Sequence, residues 1–357
     1  MSGSRGARRI CVVLLTGVGD VVNGLPVANA LKARNPSCRI TWVAEPAPSQ
    51  VLLHHPAVDE VVVFEKSRGA RGVVDLWKHM RGPRFDLTLN MMYYFKSVWP
   101  TLFSRAPRRI GYGPGRARDA VWLFSNEILP GRSWRHQQDI FLEFLEPLGL
   151  TGAPVAWRLT LGDDERAAQK AFFERFDGRP VAAIVVASGK PVKDWPAARW
   201  ARVADALEEE HGFQVLLLGG PSPREAAIAG EIRETTRAGV VDGLSRTVRE
   251  LMWKIEASQL VLAPDTGPLH IAHALGVPVI GLYAHSNPWR VGPWGRYHDL
   301  IVDRYRRPDE PPDPSIFASR DNAMELITVE DVLTRVEVAR ERYLGRATPP
   351  PLEPLRP

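Results

Sequence analysis

Residues 259–285 contain the side chains most suited to catalysis or ligand binding. An acid, a hydroxyl, a glycine with an unshielded backbone and an imidazole lie close together in this stretch of sequence. These are Asp265, Thr266, Gly267 and His270. His270 follows Thr266 by four residues, so both are expected over the same end of one helix. A helix start offers free N–H groups and about half a positive charge, which favours an anion. The pattern predicts an anion-binding site, against the alternative of an ordinary helix cap beside a buried histidine.

The residues around this group predict a strand, a loop, a helix and a second strand. An apolar run over residues 260–263 is typical of a strand buried on both faces. Pro268 is tolerated in the first turn of a helix, and Gly276 predicts its end. Residues 279–283 predict the next strand. The polar group therefore follows the carboxyl end of a buried strand, where open α/β sheets bind ligands.

Two further loops follow predicted strands and carry ionisable residues. Asp20 ends the run Thr-Gly-Val-Gly-Asp after a strand at residues 9–15. Pro26 could mark the true start of the next helix, which would leave residues 20–23 on the loop. Lys193 lies in Lys-Asp-Trp-Pro after a strand at residues 181–187. By itself a glycine loop with an acid is weak evidence, and a single lysine is more often a surface residue.

Strands and helices alternate along both halves of the chain, which predicts α/β architecture with parallel sheets. Glycine and proline cluster near residue 150 and predict an N-terminal domain over residues 1–158 and a C-terminal domain over residues 159–327. We expect a helix within residues 328–346 to pack back on the N-terminal domain. Residues 347–357 contain five prolines and are expected to be disordered.

The composition is that of a soluble globular protein, with 45% hydrophobic and 24% charged residues among 357. The sequence lacks an apolar run near the ~20 residues that a membrane-spanning helix needs. It also lacks the pattern of a signal peptide, so a cytoplasmic location is predicted. Two cysteines cannot build a disulfide framework or a structural zinc site.

Positive charge is concentrated in the first half of the chain. Residues 1–150 contain 20 Lys and Arg against 12 Asp and Glu, whereas residues 151–357 contain 26 against 29. Residues 105–135 alone contain seven arginines interleaved with aromatic residues. Arginine forks suit phosphate and carboxylate groups, so this segment could bind an anionic partner, or it could be an ordinary charged surface. Nucleic acid is not predicted as a partner, because no sequence signature of a nucleic-acid-binding fold is present.

The run D-T-G-x-x-H-x-A-x-A-L-G-x-P-x-I-x-L-Y, preceded by G-V-G-D and K-x-W-P, resembles glycosyltransferase family 9 over roughly residues 9–296. This family comprises the ADP-heptose:lipopolysaccharide heptosyltransferases. The resemblance implies a GT-B fold, in which two Rossmann-like domains face across a cleft and bind acceptor and nucleotide sugar respectively. It also implies inverting transfer of a heptose or related sugar from an ADP-sugar to a lipopolysaccharide-core or similar glycolipid. Peripheral contact with the inner face of the cytoplasmic membrane would follow.

The resemblance further implies roles for individual residues. Asp20 occupies the position of the proposed general base, and Lys193 that of the lysine that neutralises the donor diphosphate. The remaining donor-binding positions are Ser188, Gly189, Glu225, Asp265, Thr266, Gly267 and His270. Weaker acceptor-binding candidates are Gly19, Asn23, Arg109 and Arg116. Asn23 replaces a residue that is often histidine in the family, so the acceptor could differ from a standard inner core.

The sequence contains no D-x-D motif, with which metal-dependent glycosyltransferases bind a cation on the diphosphate. We therefore expect neither a metal nor another cofactor, with the ADP-sugar as co-substrate. Two alternatives stay open: a nucleotide-sugar-binding protein without catalysis, and a GT-B enzyme with another donor, such as an epimerase. A nicotinamide dehydrogenase is disfavoured, because Val22 stands where G-x-G-x-x-G needs its third glycine.

Overall fold

The computed structural model describes residues 8–82, 84–307, 309–346 and 348–353. The chain divides into two compact units, Met1–Thr160 and Leu161–Pro357, so the division falls two residues beyond the predicted boundary. Each unit contains a six-stranded sheet in which every neighbouring pair of strands is parallel. The predicted α/β class, with two Rossmann-like parallel-sheet domains, is therefore confirmed.

The first sheet has the strand order β3-β2-β1-β4-β5-β6. Its strands are β1 (Arg9–Val13), β2 (Arg39–Ala44), β3 (Glu60–Val63), β4 (Leu87–Asn90), β5 (Arg108–Tyr112) and β6 (Glu127–Leu129). Its helices are α1 (Val18–Arg34), α2 (Pro46–Ser49), α3 (Ala70–Met80), α4 (Val98–Phe103) and α5 (Gln137–Leu142). The central strands β1 and β4 are almost wholly buried, as expected for strands covered on both faces.

The second sheet has the order β12-β11-β10-β7-β8-β9, which repeats the topology of the first. Its strands are β7 (Val181–Val185), β8 (Gln214–Leu218), β9 (Val241–Asp242), β10 (Leu260–Pro264), β11 (Val279–Tyr283) and β12 (Ile301–Asp303). Its helices are α6 (Asp163–Phe173), α7 (Ala197–Glu209), α8 (Pro223–Thr235), α9 (Val248–Glu256), α10 (Gly267–Leu275), α11 (Pro288–Val291) and α12 (Val329–Arg342). In each sheet the order reverses between the first and fourth strands, β1/β4 and β7/β10. Such switch points are where open α/β sheets bind ligands.

Helix α1 begins earlier than the alternative start at Pro26 would allow. Gly17 is its extended N-cap, and the N–H of Val21 donates to the carbonyl of Gly17 at 3.2 Å. Pro26 is buried inside the helix, which continues to Arg34. The alternative was wrong, because the helix accommodates a proline that only removes one intrahelical donor. Asp20 therefore lies in the first turn of a helix.

The arginine-rich segment contains two strands, β5 and β6, that the sequence pattern did not predict. After the segment, α5 ends at Leu142 and a 3₁₀ helix follows over Glu143–Leu148. Strand β6 has three residues and lies at the edge of the sheet. Because a short edge strand shows little apolar periodicity, its sequence resembles a loop.

The C-terminal helix lies in the second unit, and its packing on the N-terminal domain stays a prediction. Helix α12 contacts α7 and β12 and buries Val332, Val336 and Ala339. Its Asp331 also forms an ion pair with Arg304 at 2.5 Å, so charge as well as apolar contact attaches it there.

Part of the proline-rich tail is placed against the same unit rather than disordered. Pro349 lies beside Gly276, and Leu352 lies beside Gly295, whose carbonyl accepts the N–H of Glu353. Residues 347 and 354–357 of the predicted disordered tail lie outside the described residues. Among the helices of the described chain, none is long and apolar enough to cross a membrane.

Candidate functional site

Four polar side chains of the second unit meet directly after β10, around the carboxylate of Asp265. Lys193 Nζ lies 2.5 Å from Asp265 Oδ2, and Ser286 Oγ donates to the same oxygen at 2.5 Å. His270 Nε2 lies 3.8 Å from the other oxygen, Oδ1. Lys193 ends a 3₁₀ turn after β7, His270 lies on α10 and Ser286 follows β11. The switch point of the second sheet therefore joins residues that are up to 93 positions apart in the chain.

The Asp265 carboxylate is ionised at neutral pH. Burial alone would raise its pKa, but the neighbouring His270 and the positive charge of Lys193 outweigh burial and lower the pKa well below its ordinary value. The ammonium of Lys193 carries three protons, and Asp265 is its hydrogen-bond partner among the described residues. Two donors of Lys193 thus remain for a ligand.

The start of α10 adds donors beside this cluster. Thr266 is the N-cap in extended conformation, and its side chain makes no capping hydrogen bond. The first N–H groups of a helix have no partner within the helix, and Gly267 supplies one of them without a side chain in front of it. His270 is buried, and its Nδ1 has no hydrogen-bond partner in the described part of the chain. The arrangement suits an anionic group with several oxygen acceptors.

Ser188 shapes the loop that carries Lys193. Its Oγ donates to the carbonyl of Lys190 at 2.7 Å, and its backbone N–H donates to Asp194 Oδ1 at 2.7 Å. Arg224 on α8 forms an ion pair with Asp194 and donates to the carbonyl of Ser188. Gly189 is exposed, and a Cβ there would meet no atom within 4 Å. The loop geometry is therefore fixed by Ser188, Asp194 and Arg224, whereas Gly189 is not required for steric reasons.

Both carboxylate oxygens of Glu225 accept hydrogen bonds from the loop after β8. Its Oε1 accepts the N–H of Gly220 at 2.8 Å, and its Oε2 accepts from Ser222 Oγ at 2.6 Å. These bonds fix the turn before α8, since Ser222 is also the N-cap of that helix. Its contact with a donor ribose or base stays a prediction.

Asp20 lies at the switch point of the first sheet, in the first turn of α1 after β1. Tyr93 follows the neighbouring strand β4. Burial raises the pKa of Tyr93 to about 12, and the negative charge of Asp20 acts in the same direction. Gly19 precedes Asp20 in the same turn, while Asn23 is buried and its carbonyl accepts from Gln138 Nε2 at 2.8 Å. Asp20 and Tyr93 thus follow neighbouring strands of the sheet, β1 and β4.

The two arginines predicted as weak acceptor contacts are bonded within the first unit. Arg109 donates from Nε to the carbonyl of Phe124 at 2.8 Å and from Nη1 to that of Ala106 at 2.7 Å. Arg116 is buried and forms an ion pair with Glu143 at 2.5 Å. These bonds stabilise the turns around β5 and β6.

Sequence reasoning missed four residues that complete these arrangements: Ser286, Asp194, Arg224 and Tyr93. Three of these residues could have been found from their positions in the chain. Ser286, Asp194 and Tyr93 come shortly after β11, β7 and β4, respectively, and these strands flank or form the switch points. A search of every segment that follows a predicted parallel strand would have included them. Arg224 follows β8 by six residues and is identified only by its contact with Asp194.

Comparison with known proteins places the chain among glycosyltransferases. Residues 73–310 match the family model of glycosyltransferase family 9 (heptosyltransferase). The lipopolysaccharide core heptosyltransferase OpsX of Haemophilus influenzae is 30% identical over 295 residues, which cover 82% of this chain and 84% of that protein.

Solved structures agree in fold. A family 9 glycosyltransferase from Veillonella parvula superposes with a TM-score of 0.77 at 22% identity and covers 93% of this chain and 96% of its own. The Escherichia coli heptosyltransferase WaaC with ADP superposes with a TM-score of 0.72 at 20% identity, covering 93% of this chain and 98% of its own. With the family match over two thirds of its length, this chain belongs to glycosyltransferase family 9 and is a glycosyltransferase of the GT-B class.

Proposed function

We propose that this enzyme transfers a heptose, or a related sugar, from an ADP-sugar to a hydroxyl of a lipopolysaccharide-core or similar glycolipid. Transfer inverts the configuration at the anomeric carbon of the sugar and uses no metal ion. The observation that carries the proposal is the cluster of Lys193, Asp265, His270 and Ser286 at the switch point of the second sheet. A related enzyme named for the same reaction and a similar fold solved with ADP support this choice of donor.

The C-terminal unit is proposed to bind the donor. As the sugar leaves, negative charge grows on the diphosphate, and the two remaining donors of Lys193 stabilise it together with the N–H groups at Thr266 and Gly267. Asp265 orients Lys193 through their ion pair. Ser188 and Glu225 fix the neighbouring loops, and we assign Ser188 to the phosphates and Glu225 to the ribose of the donor. A fixed cation in this position replaces the metal ion that other glycosyltransferases use. Among the described residues, no group of three or more His, Cys, Asp or Glu could bind a metal.

The N-terminal unit is proposed to bind the acceptor, with Asp20 as general base. The acceptor oxygen forms a bond to the anomeric carbon while the bond from that carbon to the diphosphate breaks. The hydroxyl proton passes to the Asp20 carboxylate, and ADP leaves with the bonding electrons. A positioned base contributes about 10²–10⁴ in rate. The phenol of Tyr93, which keeps its proton, is suited to donate a hydrogen bond to an acceptor oxygen.

The proposed acceptor is a glycolipid, so the enzyme is expected at the cytoplasmic side of the membrane that carries it. Peripheral contact with that membrane is part of the proposal. The excess of positive charge in residues 1–150 supports it, because the cytoplasmic leaflet is anionic.

The variant Asp20→Asn tests the proposal. We expect the transfer rate to fall by about 10²–10⁴, because the side chain can no longer accept the proton. Calorimetric affinity for the ADP-sugar, measured with a chelator present, should stay unchanged. Asp164→Asn removes an exposed carboxylate of α6 and serves as the matched control, with normal transfer. Wild-type turnover by Asp20→Asn would reject the base assignment, and preference for UDP- or GDP-sugars would reject the donor.

A further inference from the structure

Exposed aromatic and aliphatic side chains gather on one face of the first unit. We call it the aromatic face and define it by Trp77, Tyr94, Phe95, Trp99, Leu102 and Leu123, which are 38% to 71% exposed. Single exposed apolar residues are ordinary on protein surfaces, but a contiguous group marks an interaction site.

Contacts between the underlying elements make this a single surface. Helix α3 packs against α4, and α4 packs against the 3₁₀ turn Val121–Phe124. The rings of Phe95 and Phe124 lie 6.4 Å apart in an edge-to-face arrangement. Arg105 donates to the carbonyls of Arg81 and Gly82, which ties the end of α4 to the end of α3.

Helix α3 shows what kind of surface this is. Its buried side consists of Gly72, Leu76 and Met80. The opposite side exposes Val74, Trp77, Lys78 and Arg81, at the spacing of three to four residues that lines one side of a helix. The Arg81 guanidinium lies 5.5 Å from the Trp77 ring. Tryptophan beside lysine and arginine on one exposed helix face is typical of helices that lie at a membrane surface.

The charge around the aromatic face is strongly positive. Residues 70–124 contain ten Lys and Arg against three Asp and Glu. The exposed cations on or beside the face are Arg71, Lys78, Arg81, Arg105 and Arg118. Asp75 is paired with Arg68 at 2.7 Å, which offsets its charge. Each basic residue near an anionic bilayer adds electrostatic attraction.

We propose that the aromatic face docks this enzyme on an anionic lipid bilayer. Trp77, Trp99, Leu102 and Leu123 enter the headgroup region, and the surrounding arginines and lysines contact lipid phosphates. Tyr94 and Phe95 follow β4, which neighbours β1, and Asp20 follows β1, so the docked face continues to the acceptor side of the first unit. The inference deepens the proposed function and rests on it for the presence of a lipid-borne acceptor.

Vesicle sedimentation with the full-length protein tests the docking surface. We expect binding to vesicles that contain phosphatidylglycerol, weaker binding to pure phosphatidylcholine, and loss of binding as salt is raised. The triple variant Trp77→Ser, Trp99→Ser and Leu123→Ser should reduce binding at least about tenfold, because it removes apolar area that enters the bilayer. A control triple variant, Leu53→Ser, Ile128→Ser and Leu326→Ser, removes exposed apolar residues elsewhere and should bind normally.

Transfer assays separate this inference from the proposed function. The aromatic-face variant should keep wild-type transfer to a water-soluble acceptor fragment and lose transfer to acceptor embedded in vesicles. Equal vesicle binding by the wild type and this variant would overturn the docking surface. The docking surface would also be overturned if the wild type did not bind vesicles but formed dimers, and the variant did not dimerise. The aromatic face would then bind a second copy of the chain. Vesicle binding without any sugar transfer would reject the proposed function and leave the docking surface intact.

Discussion

Two regions of this enzyme look like anion sites in the sequence, yet the fold uses their charges in opposite ways. The arginine-rich segment, residues 105–135, has seven arginines and few acids near them. The donor site has a single lysine, Lys193, on a loop far in sequence from its partner Asp265. The segment with more charge is mostly bonded to itself, whereas the site with less charge keeps donors for a ligand.

Four of the seven arginines of the first region pair with acids, and two of the three acids lie outside the segment. Arg108 pairs with Glu127, Arg116 and Arg135 with Glu143, and Arg132 with Glu146. Glu143 and Glu146 lie beyond residue 135, so a count of charges within the segment cannot include them. Density of charge along the chain is therefore a poor guide to an anion site.

In the donor site the ion pair is one contact among several. Lys193 pairs with Asp265 through one of its three protons, while Ser286 and His270 contact the same carboxylate. The site also lies at a strand switch point beside a helix start. What distinguishes a functional charge here is thus incomplete pairing at a position where the fold binds ligands.

The largest expected effect comes from breaking the buried pair of the arginine-rich segment. Arg116→Met should lower the free energy of unfolding by at most about 3–5 kcal/mol, because it removes the buried partner of Glu143 and leaves only the pair with the partly exposed Arg135. The side chains of Arg116 and Glu143 are 5% and 3% exposed, so water cannot compensate. Urea denaturation measures this loss, and the affinity of the folded protein for ADP should stay unchanged.

The double variant Arg116→Met and Glu143→Leu is the control, because it removes both charges and should recover part of the stability. Arg116→Met with normal stability but weakened transfer would instead show that this guanidinium serves the acceptor, and the contrast between the regions would disappear.

Breaking the pair of the donor site should affect binding more than folding. Lys193→Met should weaken ADP-sugar affinity roughly ten- to hundredfold, as expected for a lost charged hydrogen bond. Lys190→Met removes an exposed lysine from the same loop and should bind normally. Calorimetry compares them, and equal losses in both would mean that the loop acts through general positive charge.

The same variant has a pH signature. In the wild type the folded-state pKa of Asp265 is lowered, so its ionised form stabilises the fold above its ordinary pKa and this stability is lost as the pH falls towards the folded value. Without Lys193 that pKa moves back towards its ordinary value, so less stability is lost on acidification. The difference in melting temperature between Lys193→Met and the wild type should therefore shrink as the pH falls from neutral.

The smallest expected effect comes from an exposed pair of the arginine-rich segment. Arg108 lies 2.6 Å from Glu127, and both side chains are partly exposed. Arg108→Gln should cost about 0.2–1 kcal/mol of stability, because water and salt screen such pairs. Repeating the denaturation at high salt should shrink the difference further. A loss as large as that of Arg116→Met would show that exposure does not decide the value of these pairs.

Strong apolar runs made much of the fold predictable. Strand β11 was predicted to the residue, and the strand predicted over residues 260–263 ends one residue before β10 does, since each is a short apolar run followed by a turn or loop. Strands β5 and β6 were missed because Arg108, Arg109 and Glu127 interrupt their apolar pattern. Arg108 and Glu127 pair with each other between the two strands, a contact that no local pattern reveals.

The sequence by itself determined the two-fold repetition of strand and helix, the family and the loops that carry Asp20, Lys193 and Asp265. Those features depend on local spacing, which apolar periodicity and short motifs record directly. Only the tertiary structure decided which charged side chains form ion pairs within the protein and that Ser286 joins the Asp265 cluster. It also decided that Trp77, Trp99 and Leu123 share one face. Such pairings join residues far apart in the chain, so they exist only after the strands have taken their order in the sheet.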